Sequence, residues 1–401
     1  MTKCQGGDLP PLSLYVHVPW CVRKCPYCDF NSHGIGRDTA LPETAYLDAL
    51  LDDFATECAL IEPRRLHSIF IGGGTPSLMG PDFYARLLEA LEARLGFEPD
   101  IEITLEANPG TVEQQRFQGY RAAGINRLSI GVQSFDDIAL QALGRIHSGA
   151  DARRAADSAH HAGFDNLNLD LMHGLPGQTV EGALADIDQA LALAPTHLSW
   201  YQLTLEPNTE FYSHPPLLPP EDELCDIQEA GEARLAAQGF ARYEISAYAQ
   251  RAARQDLRSR HNLNYWHFGD YMGIGAGAHG KLTRHTFEGL ALVRRWKTRQ
   301  PEAYLRRRQD PRGYLAGQRE ITRDERGLEF LMNALRLVEG VPTALWFQYT
   351  DLDEQALRHQ THSAITRGLL DADPARIRAT AQGLLFLNDL LALCDPDTSA
   401  S

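Results

Sequence analysis

The chain lacks a long apolar run, since no stretch approaches the roughly 20 apolar residues that a membrane-spanning helix needs. Its first ten residues have neither the basic start nor the apolar stretch of a signal peptide. Cysteine is also scarce: there are seven, and three of them are clustered. That distribution argues against a disulfide framework and for a reducing compartment. We therefore expect a cytoplasmic protein that is not an integral membrane protein.

Positive charge is in short supply as well. The formal net charge is −15, which argues against nucleic acid as a partner. The 401 residues suffice for two domains, and 43% hydrophobic with 23% charged residues is ordinary for a globular protein. One basic stretch stands out between Arg294 and Arg312. It is typical of a solvated helical face, and the alternative is a docking patch for an anionic ligand, an acidic partner or a membrane surface.

Short β-like runs alternate with helix-like runs from residue 12 to about residue 205. The strand candidates are Leu12–Val18, Ser68–Ile71, Ile101–Glu106, Arg127–Gln133, Asn166–Met172 and Leu198–Leu205. The stretches between them are amphipathic at helical spacing, and several begin after helix-start residues such as Thr111 and Thr179. Six βα units in series predict an α/β fold, an incomplete (β/α)6 barrel, with an open doubly wound sheet as the alternative.

A second part of the chain follows a proline-rich break at residues 215–220. A helix-like run, Glu221–Gln238, and a strand-like run, Arg242–Tyr248, come next, and from about residue 320 the pattern is mostly helical. We predict a smaller, mainly helical, winged-helix-like C-terminal domain. The expected division is 1–285 for the barrel with its extension and 286–401 for the helical domain.

Polar residues fall at the ends of the predicted strands. Cys21 follows the first strand, Gly72–Thr75 the second, and Glu106, Gln133 and Asp170 end the next three. In βα folds the chemistry lies at the carboxyl ends of the strands. This coincidence predicts one site at that edge of the sheet.

The three clustered cysteines are the most informative feature. Cys21, Cys25 and Cys28 have the spacing Cys-x-x-x-Cys-x-x-Cys, which can hold three irons of a [4Fe–4S] cluster. The next residues are Asp29 and Phe30, so the fourth iron is left without a protein ligand and can bind a small molecule. For this spacing the expected molecule is S-adenosylmethionine (SAM).

Zinc is the alternative occupant of these thiols. A structural zinc site uses four ligands in paired spacings. The chain has no second cysteine pair, although His17 or His33 could complete a site. We therefore favour the cluster.

Several motifs together resemble the radical-SAM superfamily. They are the cysteine loop 15–28, Gly72–Pro76, Glu106–Gly110, Ser129–Phe135, Gly144–His147 and Asn168–Pro176. The resemblance covers nearly the whole chain. It is strongest to the branch that contains oxygen-independent coproporphyrinogen III dehydrogenase and a related group of heme chaperones.

The resemblance implies the residues that hold SAM. Gly73, Gly74 and Thr75 would contact it, because a glycine turn lets the backbone approach a ligand closely. Tyr15 and Tyr27 would flank the cluster and the nucleoside. The polar contacts of the family match Glu106, Gln133, Arg145 and Asp170.

Two departures distinguish this chain from the dehydrogenase. That enzyme has Gly-Cys after its third cluster cysteine, where this chain has Asp29-Phe30, and its N-terminal arm is longer than the 20 residues that precede Cys21 here. The segment His261-Asn-Leu-Asn-Tyr-Trp266 resembles the His-Asn-x-x-Tyr-Trp motif of the heme chaperones.

The chaperone motif implies a heme site. Imidazole is a standard axial ligand of heme iron, so we predict that His261 belongs to this site. Tyr265 and Trp266 could supply flat apolar surface against the macrocycle. His17 and His279 are the less favoured substitutes. The glycine-rich segment Gly273–Gly280 lacks a clear preceding strand and is expected to be a tight turn near the SAM site or a domain interface.

These features together predict a heme chaperone on a radical-SAM scaffold. It would bind heme and pass it to acceptor heme proteins, and the resemblance implies membrane-associated respiratory enzymes as acceptors. We assign no catalytic residue, although SAM cleavage is compatible with the scaffold. The alternative is a radical enzyme that decarboxylates coproporphyrinogen III.

Overall fold

The computed structural model describes residues 9–36, 40–252 and 255–395. The strands are β1 (Leu12–Val18), β2 (Trp20–Cys21), β3 (His33–Gly34), β4 (Leu66–Gly73), β5 (Phe97–Ala107), β6 (Arg127–Gln133), β7 (Asn166–His173), β8 (His197–Gln202), β9 (Phe240–Glu244), β10 (Ala247–Gln250), β11 (Asp270–Ile274), β12 (His279–Thr286), β13 (Gly289–Lys297), β14 (Leu315–Ile321), β15 (Val341–Pro342) and β16 (Arg376–Ile377).

Helices separate most of these strands. They are α1 (Glu43–Cys58), α2 (Pro81–Leu95), α3 (Thr111–Ala122), α4 (Asp137–Ala142), α5 (Gly149–His161), α6 (Val180–Ala192), α7 (Glu210–Ser213), α8 (Glu221–Ala237), α9 (Arg260–Trp266), α10 (Pro301–Arg306), α11 (Arg323–Ala334), α12 (Ala344–Thr350), α13 (Glu354–Thr366), α14 (Ala381–Leu385) and α15 (Leu387–Leu393). Short 3-10 turns cover Pro76–Leu78 and Arg307–Gln309.

One sheet of twelve strands organises the molecule, in the order β14-β13-β12-β11-β1-β4-β5-β6-β7-β8-β10-β9. The six strands predicted from the sequence lie side by side in chain order, and each pairs with the next in parallel. A doubly wound sheet reverses its strand order partway along. The consecutive order therefore confirms the α/β prediction in its singly wound form.

Local signals explain where the helices begin and end. Helix α5 begins with a capping box, in which Ser148 accepts from the Asp151 backbone and the Asp151 carboxylate accepts from that of Ser148. The Thr179 hydroxyl accepts from the third residue of α6, as expected, whereas Thr111 is the first residue of α3 and Gly110 precedes it. Helix α2 has Pro81 in its first turn and ends at Gly96, whose φ is 71°. These capping residues lie at the ends of helices that connect successive parallel strands.

The glycine-rich segment 273–280 differs from the expectation. A strand does precede it: β11 pairs in parallel with β1, and only Gly275–Ala278 turn before β12 returns antiparallel. The strand was hidden because it starts at Asp270, a charged residue that is fully buried here. Asp270 is held by ion pairs with Lys281 and Arg64. The predicted strand 242–248 is likewise two strands, β9 and β10.

Three hydrophobic clusters are present among the described residues, and the smallest contains Leu143, Met172 and Phe211. The largest one lies between the parallel strands and the helices that cover them. The second contains Phe330, Trp346 and Leu390 from the C-terminal helices, together with Leu292 and Ile321 from β13 and β14. A mainly helical C-terminal part with the small sheet β15-β16 is confirmed.

The predicted boundary at residue 285 falls inside β12, and β13 and β14 continue the main sheet beyond it. That division remains a prediction. In the described parts of the chain, no helix combines the length and the apolar character needed to cross a bilayer.

Candidate functional site

A cavity of about 520 Å³ lies at the carboxyl ends of the parallel strands. Every predicted site residue lines it except Tyr15 and His261. The lining members of the set are Cys21, Cys25, Tyr27, Cys28, Gly73, Gly74, Thr75, Glu106, Gln133, Arg145 and Asp170. Residues far apart in sequence thus meet at the edge of the sheet that the strand ends indicated.

The cysteine loop forms one wall of the cavity. Cys21 is buried, Cys25 and Cys28 are half-buried, and all three are free thiols. Burial raises the pKa of the Cys21 thiol, while a hydrogen bond from Thr75 opposes the shift. Within the described residues, no three His, Cys, Asp or Glu side chains meet closely enough to ligate a single metal ion. The three thiols therefore line one cavity but do not converge on a single metal-ion position.

Two of the three glycines are required by the contact between β4 and the cysteine loop. Gly73 has a φ of +118°, and a Cβ there would lie 2.6 Å from the His17 ring. A Cβ on Gly74 would lie 2.5 Å from the backbone oxygen of Trp20. Backbone bonds from Gly74 to Val18 (2.7 Å) and from Thr75 to Trp20 (2.7 Å) close this contact. The turn therefore joins the loop to the sheet and leaves bare backbone along the cavity.

Two carboxyl groups face the same interior. Glu106 accepts a hydrogen bond from the Gly73 N–H at 3.0 Å, and Asp170 accepts from Ser129 at 2.9 Å and Asn168 at 2.8 Å. Burial, and secondly repulsion from Asp170, raises the pKa of Glu106 to about 7. Burial also raises the pKa of Asp170. Such shifted carboxyls are common at functional sites.

Arg145 supplies positive charge beside the cysteines. Its guanidinium donates to Asn108 at 2.7 Å and to the Gly131 carbonyl at 2.8 Å, and it lies 3.6 Å from the Cys25 sulfur. Its Nε is buried and has no hydrogen-bond partner among the residues that the structure describes. A buried donor without a partner carries an energetic cost, which a bound anion or acceptor relieves. Gln133 has a φ of 68°, an uncommon value for a residue other than glycine.

The sequence did not single out several residues that line the cavity. These are Asn108, Arg127, Ser129, Asn168, Ser199 and Tyr201. Asn168 stands two residues before Asp170 on β7, and Arg127 and Ser129 stand an even number of residues before Gln133 on β6. Alternate residues of a strand face the same side, so the strand period could have found them.

Tyr15 and His261 lie outside this cavity. The Tyr15 hydroxyl bonds to His17 Nδ1 at 3.1 Å, and its ring stacks with Phe70, which does line the cavity. His261 is 1% exposed, and its two ring nitrogens bond to Ser68 Oγ at 2.9 Å and the Tyr265 hydroxyl at 2.8 Å. Burial lowers its pKa to about 3. Heme ligation by His261 stays a prediction, and it would require the hydrogen bond at the ligating ring nitrogen to break.

The basic stretch 294–312 is only partly helical, because its first part is strand β13 and helical turns cover residues 301–309. Arg294 pairs with Glu329, Arg295 with Glu57, and Lys297 with both Asp53 and Glu57. Lys297 is 2% exposed. Much of the charge is therefore neutralised inside the protein, which weakens the docking-patch alternative.

Comparison with known proteins gives the family. A model of the Radical SAM superfamily matches residues 15–190, and one of the HemN C-terminal domain matches residues 321–386. The chain is 50% identical to the heme chaperone HemW of Haemophilus influenzae over 389 residues, 96% of this chain and 98% of that protein. It is 49% identical to the HemW of Escherichia coli, with the same coverage. The chain belongs to the HemW family.

More distant relatives agree with this placement. The mitochondrial radical S-adenosyl methionine domain-containing protein 1 of Mus musculus is 36% identical over 94% of this chain and 86% of its own length. Among solved structures, the coproporphyrinogen III oxidase HemN of Escherichia coli superposes with a TM-score of 0.80 over 98% of this chain and 92% of its own. At 23% identity this likeness shows the radical-SAM fold.

The residues present fit the cofactors that the family implies. Cys21, Cys25 and Cys28 would hold the cluster, and the unpartnered Arg145 Nε with the bare backbone of Gly73 and Gly74 offers contacts for SAM. When bound, these cofactors supply one-electron chemistry on a sulfonium. Among the chain's own groups, Glu106 and Asp170 would offer carboxylates to a cationic ligand.

Proposed function

We propose that this protein is a cytoplasmic heme chaperone, which binds heme and transfers it to acceptor heme proteins while carrying a three-cysteine [4Fe–4S] cluster and SAM. The observation that carries the proposal is the similarity to two HemW proteins, which extends over nearly the full length of each chain. The acceptors we propose are respiratory heme proteins at the membrane.

The cysteine loop supports the chaperone over the dehydrogenase. Phe30 stands where the dehydrogenase has a cysteine, and here it is 61% exposed and borders the cavity. A large apolar side chain exposed at the rim of a polar cavity offers surface to a flat apolar ligand. The SAM contacts that we propose are the cavity residues Gly73, Gly74, Thr75, Glu106, Gln133, Arg145 and Asp170, with Tyr15 and Tyr27 beside them.

The test uses anaerobically purified protein with a reconstituted cluster. It is expected to bind heme stoichiometrically, and to pass that heme to an apo-form respiratory heme protein faster than free heme reaches it. With SAM and a strong reductant it should form no protoporphyrinogen from coproporphyrinogen III. Robust decarboxylation, or an absence of heme binding, would reject the proposal.

A further inference from the structure

A chain of hydrogen bonds connects two of the clustered cysteines along the wall of the cavity. It begins at Cys21, whose thiol is hydrogen-bonded to the Thr75 hydroxyl. The Asn108 amide nitrogen donates to that hydroxyl at 2.9 Å, and the Asn108 amide oxygen accepts from Arg145 Nη2 at 2.7 Å. Arg145 Nη1 lies 3.6 Å from the Cys25 sulfur. Asn108 is therefore the central link between the donors that serve two thiols.

The backbone holds Asn108 in this position. It directly follows β5 and directly precedes Pro109, and a residue before proline is restricted to extended conformations. The Gly110 N–H donates to the Asn108 carbonyl oxygen at 2.8 Å. The side-chain amide is thus presented to its two partners from a fixed point at the end of the strand.

Neither donor keeps its direction without Asn108. The Thr75 oxygen accepts from Asn108, so its own hydrogen is left for the Cys21 sulfur. Arg145 Nη2 has two acceptors, the Asn108 amide oxygen and the Gly131 carbonyl oxygen at 2.8 Å. Loss of the amide would leave one of these two anchors, and the guanidinium could then turn away from Cys25.

The chain of bonds lies between two cavities. A second cavity, of about 550 Å³, adjoins the one that contains the predicted site residues. Cys25, Thr75, Asn108 and Arg145 line both of them. A change at Asn108 therefore acts on the wall beside the sulfurs.

Hydrogen bonds to the cysteine sulfurs are among the factors that set the reduction potential of an iron–sulfur cluster. Reduction adds negative charge, and a donor or a positive charge beside a thiolate stabilises it, which raises the potential. Arg145 offers a charged donor to Cys25, and Thr75 offers a neutral donor to Cys21. Both effects depend on the orientation that Asn108 provides.

We propose that Asn108 is a positioning residue, which holds the Arg145 and Thr75 donors on two cluster thiolates and thereby raises the reduction potential of the cluster. The cluster takes up one electron from an external one-electron reductant, and no covalent bond forms or breaks. This inference rests on the three-cysteine cluster of the proposed function.

The test is an anaerobic redox titration of the reconstituted full-length protein without SAM, followed by electron paramagnetic resonance of the reduced cluster. Asn108→Leu is similar in size and removes both amide bonds. At the wild-type midpoint potential its ratio of reduced to oxidised cluster should be about tenfold smaller, a shift of about 59 mV to lower potential. Asn108→Ser is too short to reach both partners and should shift the potential in the same direction. It gives the reading if the leucine variant does not hold the cluster.

Asn126 provides the matched control. It also bonds through both amide groups, donating to the Ile101 carbonyl at 2.7 Å and accepting from the Ile103 N–H at 2.8 Å, and it lies before β6 at the opposite end of the strands. Asn126→Leu should lower the unfolding temperature but keep the ratio of reduced to oxidised cluster within about twofold of wild type. A loss of hydrogen bonds that is only structural would not move the potential.

A double variant tests whether Asn108 acts through Arg145. In the Arg145→Met background, Asn108→Leu should shift the potential by less than about half of its shift in wild type, because the guanidinium is already absent. An equal shift in both backgrounds would overturn the inference. A wild-type potential in Asn108→Leu and Asn108→Ser, or an equal shift in Asn126→Leu, would overturn it as well. If the reconstituted wild-type protein holds no [4Fe–4S] cluster, the proposed function fails instead.

Discussion

SAM affinity should depend on the ionisation of Glu106. Burial and the neighbouring Asp170 raise the pKa of Glu106 to about 7, from an ordinary value of 4.5. If the cationic part of SAM needs the carboxylate, the protonated fraction of Glu106 competes with binding. With a pKa of about 7, the apparent dissociation constant at pH 6 should be about tenfold larger than at pH 8 from this group alone.

The same shift has a cost in the absence of SAM. Because the pKa of Glu106 is raised on folding, its contribution to stability is fully present below about pH 4.5 and is lost as the pH rises through about 7. This rise in the pKa of Glu106 corresponds to at most about 3 kcal/mol, since the group faces a cavity that admits water. Glu106→Gln should therefore stabilise the SAM-free protein at pH 8 and weaken SAM binding.

Anaerobic titration calorimetry of the cluster-loaded protein measures this linkage. In two buffers of different ionisation heat at pH 7, wild type should release about half a proton from Glu106 on binding SAM. SAM itself titrates, so the relevant quantity is the ratio of wild-type to Glu106→Gln affinity at each pH. A ratio that stays constant from pH 6 to pH 8 would refute the reasoning. Asp170→Asn should move the inflection of this ratio to lower pH.

Two further predictions concern packing and buried charge. Gly74→Ala should destabilise the fold by about 1–3 kcal/mol and reduce iron retention, because its Cβ would meet the Trp20 backbone. The control, Gly182→Ala in helix α6, has room for a Cβ and should be neutral or slightly stabilising. Thermal unfolding and iron analysis of both variants measure these effects. Lys297→Met should lower the free energy of unfolding, measured in urea, by about 3–5 kcal/mol, because Asp53 and Glu57 lose their buried partner. The control, Arg308→Met, removes exposed ion pairs and should lower it by at most about 1 kcal/mol. Equal effects of the two variants in either pair would contradict the packing or the buried-charge argument.

The βα part of the fold could be predicted because its strands are apolar and its helices amphipathic. The bounds of β1 and β6 agree with the sequence prediction residue for residue. The extension of the sheet could not be read in this way. Strand β11 starts at the buried Asp270, and β13 carries Arg294, Arg295 and Lys297, so partners distant in sequence make these charged runs compatible with a sheet.

The cavity was predictable wherever a residue type is chemically distinctive. Cysteine at the cluster spacing, glycine after β4 and carboxyl groups at strand ends all line it. Serine and asparagine, such as Ser129, Asn168 and Ser199, carry no such distinction, because they are common in loops and caps. Only the strand period, combined with the register of β6, β7 and β8, shows that they share the interior face.

His261 belongs to a family motif, but in the structure its ring is held by hydrogen bonds within the protein. Helix α9 lies at the amino end of the parallel strands, where His261 bonds to Ser68 near the start of β4. Gly73, at the cavity, ends the same strand five residues later, about 16 Å away at 3.3 Å per residue. The His261 ring is therefore bonded below the cavity, whose lining includes the adjacent Asn262 and the Phe70 ring, 5.2 Å from the His261 ring. The backbone N–H of His261 donates to Glu102.

A residue with this role should affect stability before it affects ligand binding. His261→Ala removes two buried hydrogen bonds and leaves the Ser68 and Tyr265 hydroxyls with one partner fewer, which should lower the free energy of unfolding by about 1–3 kcal/mol.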